Sequence, residues 1–264
     1  MKNKSKFIYD LNKLLNKVYD KKNNIIVFQT DIISSSIKYK LSGDYIANKI
    51  LFKIEKIFFD KTILFPAFSN DFIDKKYDIK LSKPNTGIIP NLALSSGKYF
   101  RSESPLHSFL LKGKKLEEIK KLKQITTWGK GSVFEWQYNN SALWVSLNLN
   151  LNRGCAIHHM AEEKAKVPYR FYKLFNGKLY NNGKYQKDIF EKKYSYYKKY
   201  SKRLNYDIWP SIMRNKIDYQ KIIINKGLFA NVSTAKKIVD RSYAFYKKNP
   251  YISINSKKIK NLPI

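Results

Sequence analysis

The stretch NNIIVFQTD, residues 23–31, puts a short β-branched run directly after a turn signal, and this pattern predicts a buried strand. Residues 42–44, Ser-Gly-Asp, then introduce an amphipathic helix whose apolar positions continue to residue 58. TILFPAF at 62–68 predicts a second strand. Strand, helix and strand in this order predict a right-handed, parallel βαβ unit. We therefore expect an α/β fold built outward from this unit.

Further elements are predicted on both sides of the βαβ unit. Apolar residues recur at helical spacing over 7–19, which predicts an amphipathic helix. The stretch 132–150 is rich in residues that favour strands, and we expect a hairpin there around the turn-like residues 138–141. A helix is expected over about 155–166. The Lys- and Tyr-rich run 191–203 is typical of a solvated helix face.

Size and cysteine usage favour one folded domain in a reducing compartment. With 264 residues and 43% hydrophobic residues, the chain can bury a sizeable core, and no repeat or clear linker divides it. We predict a single domain over 1–264. The one cysteine, Cys155, cannot form an intrachain disulfide, so we expect a cytoplasmic protein. No signal peptide is recognised, and no stretch approaches the roughly 20 apolar residues that span a bilayer.

The net charge of +32 has two interpretations. It can recruit a polyanion such as nucleic acid or an acidic membrane surface. It can also reflect composition, because Lys, Ile, Asn and Tyr are abundant together and the basic residues are spread along the chain. No nucleic-acid-binding motif is recognised, so we expect no specific nucleic-acid partner. A basic nucleic-acid-binding protein nevertheless remains an alternative.

The three histidines are the strongest candidates for chemistry, because the sequence lacks the phosphate-loop, dinucleotide, zinc and nucleophile-elbow motifs. No metal is therefore expected. His107 lies in an irregular stretch, 69–113, of the kind that forms binding sites. His159 and Glu162 share a face of the expected helix, and Glu162 can also orient His158. A carboxylate that fixes the tautomer of an imidazole makes it an effective general base near neutral pH.

Two other interpretations of these residues stay open. A histidine and a glutamate three residues apart can simply form a surface contact. Cys155 can act as a nucleophile that carries the acyl group if a histidine activates its thiol, although a lone cysteine is more often a small buried hydrophobe.

Five motifs follow one another along the chain: TILFPAFS at 62–69, YDIKLSKPNTGIIP at 77–90, YFRSESPLHSF at 99–109, GKGS at 129–132 and CAIHHMAEEKAKVPYRFYKLFNGK at 155–178. Their order and spacing resemble the aminoglycoside 3-N-acetyltransferase family, and the resemblance extends over about 24–250. It implies a central mixed sheet flanked by helices. It also implies transfer of an acetyl group from acetyl-CoA to an amine of an amino sugar, by direct attack.

The resemblance assigns roles to individual residues. The family's His-x-x-Glu motif matches His159 and Glu162, which implies that His159 is the base. Val-Pro-Tyr-Arg at 167–170 is similar to relatives encoded in surface-polysaccharide gene clusters, which tilts the expected acceptor towards a nucleotide-linked or lipid-linked amino sugar. The expected partners are thus acetyl-CoA and a small amino sugar, and the oligomeric state stays open.

Two further motifs imply contacts with the acyl group and the coenzyme. The Arg-Ser-x-His-Pro-x-His-Ser pattern is matched by Arg101, Ser102, Pro105, His107 and Ser108. Ser104 replaces the first histidine of that pattern. We expect His107 to be catalytic and Arg101, Ser102 and Ser108 to bind the coenzyme.

The family's early His-Ser-Ser or His-Ser-Asp strand end corresponds to Gln29, Thr30 and Asp31, and we expect Thr30 and Asp31 to contact the coenzyme. A catalytically silent relative retained for binding is the remaining alternative. Such a protein would be expected to lose His159, Glu162 or His107, and all three are present.

Overall fold

A computed structural model of the chain describes residues 2–69, 71–150, 155–205, 212–213 and 216–254. Its strands, numbered in chain order, are β1 Ile25–Thr30, β2 Thr62–Pro66, β3 Lys76–Asp78, β4 Phe100–Arg101, β5 Phe109–Lys112, β6 Leu143–Leu147, β7 Arg170–Asn181, β8 Lys184–Tyr196, β9 Gln220–Asn225 and β10 Leu228–Thr234. Its α-helices are α1 Lys2–Val18, α2 Ile33–Tyr39, α3 Gly43–Ile57, α4 Ile88–Ser95, α5 Leu116–Lys120, α6 Val133–Asn139, α7 His158–Ala165 and α8 Ala235–Lys248.

The main layer of the described fold is a seven-stranded mixed sheet in the order β4-β5-β2-β1-β6-β10-β9. Strand β1 is parallel to both β2 and β6, and the outer strands are antiparallel. The predicted βαβ unit and the central mixed sheet are therefore confirmed. A short helix, α2, which the sequence analysis did not predict, stands between β1 and α3.

Alternation along β1 gives the sheet two buried faces. Ile26 and Phe28 pack into one apolar core with helices α1 to α4, and Ile25 and Val27 pack into a second core with α6, α7 and α8. Because side chains alternate along a strand, six consecutive residues can serve two helical layers at once. None of the helices in the described segments is long and apolar enough to cross a membrane.

The hairpin predicted for residues 132–150 is wrong in its first half, which forms helix α6. Ser132 caps this helix, its Oγ accepting a hydrogen bond from Glu135 N at 3.0 Å. Ser-x-x-Glu is the signature of a capped helix start, and here it outweighs the strand preference of the bulky residues that it encloses. The second half is strand as expected, since β6 is fully buried.

The solvated helix predicted for residues 191–203 is wrong in its first half, because residues 191–196 lie in β8, and the second half is a short 3-10 helix, Lys198–Arg203. Strands β7 and β8 form a long antiparallel hairpin that joins β3 in a second, three-stranded sheet. Asn182 and Gly183 make its two-residue turn, with φ values of 52° and 78°. Asn-Gly is the sequence signal for such a turn, because both positions need positive φ.

The topology brings the predicted site residues to one edge of the main sheet. Strands β1, β2 and β6 are parallel, so their carboxyl ends lie side by side. Strand β5 starts there as well, because Phe109 pairs with Pro66 at the end of β2. The loop before β5 carries His107, and helix α7, which follows β6, carries His159.

Candidate active site

Helix α7 carries both members of the predicted base pair. His159 Nδ1 lies 2.6 Å from Glu162 Oε2, and these two residues are one turn apart. The Glu162 side chain is fully buried, whereas 18% of the His159 side chain is exposed. The alternative of a simple surface contact does not fit a carboxylate that is shielded from solvent in this way.

Two further side chains surround the Glu162 carboxylate. Arg170 Nη2 lies 2.8 Å from Oε2, and the Tyr169 hydroxyl donates to Oε1 at 2.6 Å. Arg170 also donates from Nη1 to the carbonyl oxygen of Tyr194 at 2.9 Å, which ties it to strand β8. Both Glu162 oxygens are thus hydrogen-bonded. A buried carboxylate needs such partners to remain charged.

The surroundings set the charge of both members of the pair. Burial alone would raise the pKa of Glu162, but the Arg170 guanidinium, His159 and the Tyr169 hydroxyl together lower it to about 2. Burial lowers the pKa of His159, and Arg170 lowers it further, while Glu162 acts in the opposite direction. Near neutral pH the carboxylate is therefore ionised and the imidazole is neutral, the form that accepts a proton.

The ionised carboxylate also fixes the tautomer of His159. A 2.6 Å contact with a carboxylate oxygen requires a proton on His159 Nδ1. Arg170 Nη2 lies 3.1 Å from the same Nδ1, so these two donors share the Glu162 oxygen and do not bond each other. The lone pair of the neutral ring is then at Nε2.

His107 and His159 are held against the two sides of one aromatic side chain. The Trp128 ring lies 4.2 Å from the His107 ring and 4.9 Å from the His159 ring, between centroids. All three residues, with Arg170, line a cavity of about 520 Å³. The fold therefore brings together two histidines that are 52 positions apart in the sequence.

His107 is neutral in this cavity. Burial is the largest influence that lowers its pKa well below the usual 6.5, and the charges of Lys193, His159 and Arg170 add to it. Its Nδ1 is buried and has no hydrogen-bond partner within the described segments. A neutral imidazole with an unused buried nitrogen can accept or donate a hydrogen bond when a ligand enters.

The loop between β4 and β5 is held by its own polar side chains. Ser102 N donates to Phe109 O at 2.9 Å, and Phe109 N donates to Ser102 Oγ at 2.9 Å. Ser104, which replaces a histidine of the family pattern, is buried and donates to Glu191 Oε2 at 3.1 Å. Leu106 N donates to the same oxygen at 3.0 Å. These contacts fix the backbone that presents His107.

The side chains of Arg101 and Ser108 form hydrogen bonds inside the protein. The Arg101 guanidinium is buried and donates to Ala67 O at 2.6 Å, to Ser108 Oγ at 3.1 Å and to Ser82 O. Ser108 Oγ in turn donates to Ala67 O at 2.6 Å. Direct binding of the coenzyme by either side chain would require breaking these bonds. The geometry favours a role for both in holding three loops together.

Thr30 and Asp31 stand at the carboxyl end of β1, as predicted, but they differ in what they can offer. Asp31 Oδ1 accepts a hydrogen bond from Ile33 N at 2.9 Å, at the start of helix α2. Asp31 N donates to Leu147 O at 3.0 Å. Beside Thr30 lies Gly87, whose φ of 119° and open Cα bring the start of helix α4 against the end of β1. A Cβ on Gly87 would stand 3.9 Å from Thr30 O.

His158 and Cys155 face away from this chemistry. His158 Nδ1 lies 2.7 Å from Ser242 Oγ, in the core between α7 and α8, and burial lowers its pKa to about 3. Cys155 is buried as well, and burial raises the pKa of its thiol. A thiol that resists ionisation is a poor nucleophile. The covalent alternative therefore finds no support in the surroundings of Cys155.

Arg170, Trp128 and Lys193 were not identified from the sequence. The left-handed residue Lys166, with a φ of 52°, ends α7 and turns the chain so that Arg170 comes back against Glu162. No spacing rule predicts that approach. In the part of the chain that the structure describes, no three His, Cys, Asp or Glu side chains gather as a metal site would require.

Comparison with known proteins gives one matching family model and several similar structures. The model of aminoglycoside 3-N-acetyltransferases matches residues 62–224. No curated protein sequence matches the chain significantly. Among solved structures, the YokD protein from Bacillus subtilis is 15% identical, with a TM-score of 0.69, and the match covers 92% of this chain and 99% of that one.

Two other similar structures contain ligands. AAC-VIa bound to sisomicin is 10% identical, with a TM-score of 0.73 and coverage of 91% of this chain and 97% of that one. AAC-IIIb in a binary complex with CoASH is 14% identical, with a TM-score of 0.71 and coverage of 90% and 95%. At these identities the likeness establishes a common α/β fold.

Proposed function

Because the chain belongs to the aminoglycoside 3-N-acetyltransferase family, we propose that it acetylates an amino group of an amino sugar, with His159 as general base and Glu162 as the residue that orients it. Membership makes the protein an N-acetyltransferase that uses acetyl-CoA. The acceptor is then an aminoglycoside or an amino sugar on the way to a polysaccharide. The observation that carries the assignment is the 2.6 Å contact between His159 and a buried, ionised Glu162 beside the cavity.

The chemistry is a single displacement at the thioester. The acceptor nitrogen attacks the acetyl carbonyl, the C–N bond forms and the C–S bond breaks, and the coenzyme leaves as a thiol. His159 Nε2 takes the proton that the amine loses and can return it to the departing sulfur. Glu162 holds the ring in the tautomer that this step needs and stabilises the imidazolium that forms. Holding both reactants in one cavity removes most of the entropic barrier.

His107 is the proposed donor to the oxyanion of the tetrahedral intermediate. It is neutral, it faces the same cavity as His159, and its buried Nδ1 is without a partner in the described segments. A donor placed before the reaction stabilises developing charge more effectively than water does, because it does not have to reorganise. Ser102, Ser104 and Glu191 act indirectly, since they fix the loop that presents His107.

The coenzyme is proposed to lie along the carboxyl edge of β1, β2 and β6. Thr30 offers a hydroxyl there, and α4 begins beside it at Gly87 without a side-chain cap, so backbone N–H groups are available for a phosphate. Asp31 fits less well, because its carboxylate already accepts a hydrogen bond from Ile33 N and would repel phosphate. We retain Thr30 as a coenzyme contact and assign Asp31, Arg101 and Ser108 to positioning.

A thiol-release assay with acetyl-CoA and a panel of amino sugars tests this proposal. His159→Ala should lower turnover on the order of a hundredfold or more and leave coenzyme binding largely intact, because the base acts in the chemical step. Cys155→Ala is the matched test of the covalent route and should keep its turnover. Full activity of His159→Ala combined with loss of activity in Cys155→Ala would replace direct attack by an acyl-enzyme.

A further inference from the structure

The β7–β8 hairpin gives the cavity an unusually positive wall. The cationic lining residues of the cavity are Arg170, Lys173, Lys193 and, just after the hairpin, Lys198, and no Asp or Glu is among the described residues of this lining. The carboxylate of Glu162 lies behind His159 and is already paired with Arg170. Among the described residues, the lysines of this lining form no ion pair with a carboxylate.

Two of these lysines stand directly opposite each other. Lys173 on β7 pairs with Lys193 on β8. The next pair on the same face of the hairpin is Phe171 with Ser195. All four line the cavity, and we call them the hairpin wall. Like charges directly opposite across an antiparallel pair are destabilising. Within the described part of the chain, no carboxylate oxygen lies within 4.0 Å of either ammonium, and the Lys173 ammonium lies 4.9 Å from the centroid of the Phe175 ring.

The surroundings of Lys193 disfavour its charge. Burial is the largest influence and lowers the pKa of Lys193 to about 8, the Arg170 charge lowers it further, and Glu191 acts in the opposite direction. Glu191 is itself held by Thr127 and Ser104 at the base of the neighbouring loop. The Lys193 charge also lowers the pKa values of His107 and His159, so it acts on both imidazoles of the site.

An anion bound between the two lysines would be attracted by both charges, and a polycation would be repelled by them. We propose that the acceptor of this N-acetyltransferase is an amino sugar that carries a phosphate, and that Lys173 and Lys193 bind the phosphate while the amine reaches His159. The inference rests on the proposed function, and it narrows the substrate class. A polycationic aminoglycoside would enter the cavity against the charge of the hairpin wall.

The coenzyme also carries phosphates, so the two sources of phosphate must be separated. The proposed coenzyme edge lies at Thr30 and Gly87, whereas Lys173 and Lys193 belong to the second sheet. If the lysines bind the acceptor, their removal should raise the KM of the acceptor. If they bind the coenzyme, it should raise the KM of acetyl-CoA.

The experiment compares Lys173→Gln and Lys193→Gln with the wild type and with Lys184→Gln, which removes the same charge at the exposed far end of the hairpin. Each acceptor sugar is offered free, as its phosphate ester and as its nucleoside diphosphate ester, beside an aminoglycoside. We expect the phosphate-bearing forms to exceed the free sugar in kcat/KM by about tenfold or more, the value of one charge-assisted contact. We expect both variants to lose most of that preference and Lys184→Gln to keep it.

Binding in the absence of turnover separates this inference from the proposed function. Calorimetry with the nucleoside diphosphate sugar, on His159→Ala protein saturated with CoA, should give a Kd that rises about tenfold in Lys193→Gln. An unchanged Kd, a rise in the KM of acetyl-CoA alone, or preference for the aminoglycoside would overturn the phosphate-bearing acceptor. This readout does not depend on catalysis by the His159→Ala protein. Loss of thiol release by the wild type with every acceptor would count against the proposed function instead.

Discussion

Two walls of the same cavity differ in how their charged side chains are paired. On the α7 wall, formed by His159 and Glu162, the buried carboxylate is matched by Arg170 and by the Tyr169 hydroxyl. On the hairpin wall, Lys173 pairs with Lys193 across the strands, and no carboxylate in the described segments forms an ion pair with either of them. The hydrogen bonds of the α7 wall are thus complete before any ligand arrives, whereas the hairpin wall presents positive charge that an anion can pair with.

This difference separates catalysis from selection. A base must keep one tautomer and one orientation through the reaction, and a closed network of hydrogen bonds provides both. A recognition surface must distinguish one ligand from another, and charges that lack partners make that distinction large. Substitutions on the α7 wall should therefore affect stability and kcat, and substitutions on the hairpin wall should affect the choice of acceptor.

The largest effect is expected from Glu162→Gln, which breaks the balance of the α7 wall. Removing one partner leaves Arg170 buried without a matching charge, so the free energy of unfolding should fall by about 3–5 kcal/mol. Because the folded-state pKa of Glu162 is lowered from 4.5 to about 2, its contribution is present above pH 4.5 and is lost as the pH falls towards 2. Denaturant unfolding at several pH values measures the difference from wild type.

The neighbouring Glu163→Gln is the control for that experiment. Burial raises the pKa of Glu163, whereas its partners lower that of Glu162, so removing the charge of Glu163 should cost less. Its unfolding free energy should change far less than that of Glu162→Gln. Equal losses in the two variants, or a loss in Glu162→Gln that does not shrink in acid, would contradict the balanced network.

The next effect concerns His107, whose ring contacts Trp128, as does the ring of His159. His107→Phe keeps the aromatic contacts and removes the proposed donor, so kcat should fall about a hundredfold with little change in the KM of either substrate. Steady-state kinetics with near-UV circular dichroism as a check on folding measures this. A variant with normal kcat would show that His107 only packs against Trp128.

A smaller effect is expected where the two walls meet, at Arg170. Arg170 lowers the pKa of His159, so Arg170→Gln should raise it and move the acid limb of the kcat profile to higher pH. At alkaline pH, where the imidazole is neutral in both proteins, kcat should differ less. The pH profile of Arg170→Gln is compared with that of Lys184→Gln, and coincident limbs would remove Arg170 from the control of His159.

The smallest effect is expected from salt acting on the hairpin wall. Raising the ionic strength from about 0.05 to about 0.15 M shortens the screening length, so the KM of a phosphate-bearing acceptor should rise a few-fold while kcat stays constant. Lys173→Gln should show a weaker dependence. The same salt dependence for a neutral amino sugar would assign the effect to something other than the hairpin wall.

The sequence predicts well the parts of the fold that follow a strong local pattern. The β-branched run of β1 and the amphipathic helix after it predict the βαβ unit, and His159 and Glu162 are adjacent on their helix by spacing alone. Two local signals, the Ser132 cap of α6 and the Asn182-Gly183 turn, indicate elements that differ from those predicted from the residue composition of their segments. The first signal is typical of a helix start and the second of a hairpin turn, because caps and turns depend on particular residues at particular positions.

The remainder of the site depends on contacts between distant segments. Trp128 meets His107 and His159 only after three loops have reached the same sheet edge, and Arg170 meets Glu162 only after the turn at Lys166. The pairing of Lys173 with Lys193 depends on the register of a hairpin, in which a shift of one residue would turn both side chains to the other face. Composition and periodicity carry no information about these approaches.

The opposed lysines also bear on the nucleophile itself. A sugar amine reaches the protein mainly as an ammonium ion, and only its neutral form can attack a thioester. Positive charges near an amine lower its pKa, so the field of Lys173 and Lys193 favours release of that proton while the acceptor enters, before its phosphate lies between them. The hairpin and His159 thereby both contribute to deprotonation of the amine. The lysines shift its protonation equilibrium as the acceptor enters, and His159 takes the remaining proton during attack.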